Sequence, residues 1–120
     1  MTIDNFNEMT IDDLNYAVEQ LVDECHQNAV AHGFWAGEDR NDGELIALMH
    51  SELSEMLEGI RHGNPPSEHI PDFSAAEEEA ADLFIRLADL CGGRGWRLGQ
   101  AIIAKMRFNA SRPYKHGKAF

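Results

Sequence analysis

The chain has little that would tie it to a membrane, a disulfide framework or a nucleic-acid backbone. No apolar run approaches the roughly 18 residues that a membrane-spanning helix needs. The first residues carry Asp4, Glu8, Asp12 and Asp13 and lack the basic, apolar and small-residue order of a signal peptide, so the expected location is the cytoplasm. Cys25 and Cys91 are the only cysteines, far apart and in no C-x-x-C spacing, which argues against a zinc ribbon or a disulfide scaffold and fits reduced thiols. Ten basic residues stand against 21 acidic ones, a formal net charge of -11. Such a balance leaves no broad basic surface for nucleic acid and makes divalent cations the more natural partners. Proline is scarce too, and three of the four (Pro65, Pro66 and Pro71) fall in one stretch that must be a connector, because proline breaks helices.

What is present points to one helical domain. The 120 residues suit a single core, 43% of them are hydrophobic, and no repeat, low-complexity tract or linker divides them. Thr10-Ile-Asp-Asp13 resembles a capping box and opens an apolar series through Leu14, Val18, Leu21, Val22, Cys25 and Ala29, a helix ending near Gly33. Phe34 to Gly43 has loop composition, and its Phe34-Trp35 pair favours packing onto the core over stacking on a ligand. A second helix is expected from Glu44 to about His62, with Gly63 as its stop. Ser74-Ala-Ala-Glu77 forms a second capping box ahead of a third helix, which Gly92-Gly93 should end. A fourth helix is expected from about Leu98 to Ala110, followed by a short basic tail over 111–120. No strand is convincing. The expected architecture is an all-α bundle of four main helices with its core over about 12–110, completed by homo-oligomerisation because so short a set of helices makes a thin core.

The second and third helices each carry acids three apart, Glu52 with Glu55 and Glu79 with Asp82. That spacing places both carboxylates on one side of a helix, roughly 5–6 Å apart at Cβ, where they repel unless a cation lies between them. Glu52 falls among Leu45, Met49 and Met56, on or beside the apolar stripe, where an ordinary surface acid gains nothing. If the two helices are antiparallel neighbours, the four acids face one another across a groove. An all-oxygen set without histidine suits magnesium, with manganese as its substitute, better than zinc or copper. The di-iron carboxylate bundle is the chemical rival, but it needs two Glu-x-x-His motifs, and here only Asp23-x-x-His26 comes near. The plainer alternative is that the acids are solvated positions of a non-enzymatic acidic adaptor. The six histidines are scattered, and Arg86, between Asp82 and Asp89, reads as an ion-pair partner within its own helix.

The ordered acids resemble those of the MazG-like all-α nucleoside triphosphate pyrophosphohydrolases. Their E-E-x-x-E and E-x-x-D motifs on successive helices are matched by Glu52, Glu55, Glu79 and Asp82, and the resemblance extends from about Phe34 to the C-terminus. Ser51 stands where that pattern has its first Glu, which leaves the number of metal ions and the general base open. The resemblance implies magnesium-dependent cleavage of a nucleoside triphosphate to the monophosphate and pyrophosphate, in a homodimer or homotetramer. Lys105 and Asn109, four apart on the fourth helix, are then expected to reach phosphate and sugar or base, with Arg112 and Lys115 in a basic flap. Arg107 and Lys118 read better as cations that suit a helix C-terminus.

Overall fold

A computed structural model describes residues 10–37 and 39–119; the acidic leader with Asp4 and Glu8 lies outside the described residues. Four helices account for most of the chain: α1 (Ile11–Ala31), α2 (Asp42–Arg61), α3 (Ala75–Arg94) and α4 (Leu98–Ala110), followed by a distorted 3-10 turn at Tyr114–Gly117. Among the described residues the only β-type pairing is an isolated bridge between Pro66 and Ser74, which closes the proline connector.

Both capping boxes form. Thr10 and Asp13 exchange side-chain and backbone hydrogen bonds at the start of α1, and Ser74 and Glu77 do the same at the start of α3, so donors that a helix start leaves unpaired are satisfied. Two boundaries differ from expectation. α2 begins at Asp42 because the Asn41 side chain accepts the Glu44 N–H at 2.9 Å and so caps the helix earlier than the loop composition implies. α3 runs through Gly92 and Gly93 to Arg94, and the glycine that ends it is Gly95, in the left-handed region at φ 72°. The inner pair serves close approach instead. A Cβ at Gly92 would lie 2.7 Å from the His26 Cβ, and one at Gly93 would overlap the Trp35 ring.

α3 is the central helix. It packs against α2 on one flank and α1 on another, and α4 packs against α1. Two small apolar clusters follow from this order. Val22, Cys25, Ala88 and Cys91 fill the seam between α1 and α3, while Leu45, Met49 and Leu90 fill the seam between α2 and α3 beneath Trp35 and Leu83. Burial pushes both thiols above their ordinary pKa, so Cys25 and Cys91 are protonated core residues. The core is thin: among the described residues no large side chain is completely buried, and Leu53, Leu57 and Ile60 on α2 are about half exposed. The radius of gyration is 16.9 Å, where a compact chain of this length has about 14 Å. Among the described residues no helix is long and apolar enough to cross a membrane.

Candidate metal and substrate site

The acid-rich part of the α2–α3 seam brings the expected carboxylates together. Glu52, on the buried face of α2, is only 7% exposed. Oxygens of Glu52, Glu55 and Glu79 all lie within 4.8 Å of one another, and so do oxygens of Glu78, Glu79 and Asp82. The four acids picked out by spacing therefore fall in two overlapping triads that share Glu79, and the second triad adds Glu78.

The electrostatics of the cluster are strained. Oε2 of Glu79 is buried and has no hydrogen-bond partner. Its neighbours are other carboxylates, which accept hydrogen bonds and donate none when ionised. The adjacent Glu52 carboxylate, then burial and Glu55, push the Glu79 pKa up to about 8. Burial and the negative charge of Glu52 raise Asp82 as well. Glu52 goes the other way. Burial acts to raise its pKa, but proton sharing with Glu79 and the Arg86 guanidinium outweigh this and lower it. A group of hard oxygen donors around an orphaned buried oxygen needs either a shared proton or a cation, and its composition fits magnesium or manganese.

Glu78 is held by the connector. The Ser67 hydroxyl donates to its Oε1, and Nδ1 of His69 lies 2.8 Å from its Oε2. These partners, Ser67 first, keep the Glu78 pKa below the usual carboxylate range. The hydroxyl of Ser67 also accepts the backbone N–H groups of His69 and Ile70, so the connector folds around this one buried serine.

A cavity of about 380 Å³ opens beside the acids. Glu52, Asp82 and Arg86 line it from α2 and α3, and Asn28 lines it from the end of α1. Phe34, 62% exposed, and Arg40 contribute the α1–α2 loop. That loop is tied to α3 through Asp89, which is buried. Asp89 accepts from Trp35 Nε1 at 2.8 Å and from Arg40 Nη1 at 3.3 Å, and its Oδ1 lies 3.0 Å from Nδ1 of His26. Trp35 therefore packs into the core, as expected, while its neighbour Phe34 faces the cavity. Arg94 completes the anchor by donating to Asp42 at 2.8 Å, to Asp39 at 3.0 Å and to the Arg40 carbonyl. Sequence spacing offers no signal for this network, since its members are separated by half the chain.

Arg86 corrects the sequence reading. It does not pair with Asp82 or Asp89 on its own helix; its Nε donates across the seam to Oε1 of Glu52 at 3.0 Å. Asp89 is saturated by the loop, and Glu52 is the buried charge that lacks compensation. The residues expected to touch substrate lie elsewhere. Lys105 sits 4.6 Å over the Phe108 ring, Arg112 lies 5.5 Å over the same ring, and Lys115 rests 5.8 Å over Tyr114. Oδ1 of Asn109 is buried without a partner. None of Lys105, Asn109, Arg112 and Lys115 lines the cavity beside Glu52.

Comparison of the chain with protein-family models, with curated proteins and with solved structures returns no match.

Proposed function

We propose that this protein is a magnesium-dependent nucleoside triphosphate pyrophosphohydrolase that cleaves a ribo- or deoxyribonucleotide to its monophosphate and pyrophosphate. The observation that carries the reading is the orphaned oxygen of Glu79, clustered with Glu52, Glu55 and Asp82, of which Glu52 and Asp82 line a cavity large enough for part of a nucleotide. The MazG-like order of the same acids in the sequence supports it.

In this reading Glu52, Glu55, Glu79 and Asp82 hold magnesium, with manganese as a substitute. Held by these residues, the ion would supply positive charge to phosphate oxygens and lower the pKa of an attacking water. A carboxylate oxygen of the cluster left free by the ion orients that water and takes its proton. The water oxygen bonds to the α phosphorus, the bridging bond to the β phosphate breaks, and pyrophosphate leaves with the electron pair. Phe34, exposed at the cavity, offers a face for the base.

A second copy of the chain fits this reading. The half-exposed Leu53, Leu57 and Ile60 on α2 and the large radius of gyration suit a homodimer or homotetramer. The same exposed apolar face favours the rival reading, a non-enzymatic acidic helical adaptor. Pyrophosphate release from a panel of ribo-, deoxyribo- and modified triphosphates, with magnesium and with EDTA, separates the two. Metal-dependent release lost in Glu52→Gln supports the enzyme; no release from any triphosphate by folded protein with magnesium leaves the adaptor.

A further inference from the structure

Two arginines line the cavity, and they are held differently. Arg40 is fixed by Asp89 and stacked between Phe34 and Trp35, at 5.7 and 5.2 Å from their ring centroids. Its partner belongs to the scaffold. Arg86 has one hydrogen-bonded partner among the described residues, Glu52, which is one of the acids assigned above to the ion. Only its Nε is engaged; among the described residues its two Nη groups donate no hydrogen bond, and its side chain is 39% exposed at the cavity wall.

We propose that Arg86 is a phosphate-binding residue held in reserve: it neutralises Glu52 while the acid cluster holds no ion, and is released toward a phosphoryl group when a divalent cation takes over that carboxylate. This rests on the metal reading of the cluster. A buried carboxylate beside Glu79 and Glu55 needs a countercharge, and Arg86 is the one cation that supplies it among the described residues. A divalent cation on Glu52 supplies the same countercharge and repels the guanidinium, so the two compete for one carboxylate. The released fork matches two phosphate oxygens at once, which an ammonium does not. The pyrophosphate half of the substrate, rich in charge and adjacent to the ion, is the group it would meet.

The competition makes two opposite predictions for Arg86→Met in the full-length protein. Without nucleotide, Mn²⁺ titrated by electron paramagnetic resonance binds roughly tenfold tighter than to wild type, because no internal cation must be displaced. With Mn²⁺ saturating, inorganic pyrophosphate binds roughly tenfold more weakly, because its fork is gone. Arg86→Lys keeps the countercharge, so it holds Mn²⁺ affinity near the wild-type value while still losing pyrophosphate affinity, and it remains informative if the Met variant fails to fold. Unchanged or weaker Mn²⁺ binding in Arg86→Met overturns the competition. Unchanged pyrophosphate binding in both variants overturns the phosphate role. Mn²⁺ binding by neither wild type nor variants overturns the metal reading itself, and this proposal with it.

Discussion

Asp89 and Glu79 are acids of the same helix with opposite surroundings. Asp89 gathers Trp35, Arg40 and His26 about its two oxygens, while Glu79 keeps a buried oxygen with no donor and other carboxylates for neighbours. A buried charge with its donors in place holds a structure together. One without them raises the energy of the fold unless a shared proton or a cation offsets it, and on that difference the metal-site proposal rests.

Exchanging the properties of the two acids should separate activity from stability. The largest effect is expected on turnover. Glu79→Gln and Glu52→Gln should each lower magnesium-dependent pyrophosphate release by about a thousandfold or more, the loss that follows when an ion's ligand set is broken. Glu79→Gln should nevertheless melt no lower than wild type in EDTA above pH 8, where Glu79 is ionised and the amide removes a like charge and gains a donor. Full activity in either variant would sink the metal-site reading. Asp89→Ala reverses the pattern. It leaves the indole N–H and two cationic or polar groups unpaired in the interior and should cost about 3 kcal/mol in urea unfolding. A loss below about 0.5 kcal/mol would mean that the loop is held by Arg94 alone.

The pH dependence sharpens the same contrast. An ordinary glutamate titrates near 4.5, whereas folded Glu79 titrates at about 8. Between these values the folded protein binds the extra proton, so this group's contribution to stability falls as pH rises. The melting temperature in EDTA should therefore decline from pH 5 to pH 8 more steeply than in Glu79→Gln, and saturating magnesium should remove the difference. Parallel pH profiles for the two proteins in EDTA would contradict the shared-proton picture. The smallest effect is expected at the cap of α3: Ser74→Ala should destabilise by about 1 kcal/mol, read as a shift of the urea midpoint at unchanged slope.

Much of this was legible because it depends on neighbours in the chain. Capping residues, apolar spacing and the proline cluster located all four helices, and the interval of three placed each acid pair on one side of its helix. Gly92-Gly93 misled for a physical reason: a glycine pair reads as a helix stop, but here the missing side chains make room for His26 and Trp35 from elsewhere in the chain. Arg86 misled in the same way, because intrahelical spacing offered it two acids and says nothing of a third on another helix. The Asp89 network left no local pattern at all.

The sequence by itself therefore determined the helices, their caps and the acids each one presents, since these follow from hydrogen bonding and side-chain geometry within a few residues. Only the tertiary structure decided which acid is paired and which is left wanting. That choice depends on α3 lying between α1 and α2, where the loop supplies donors to Asp89 and the acidic face of α2 supplies none to Glu79.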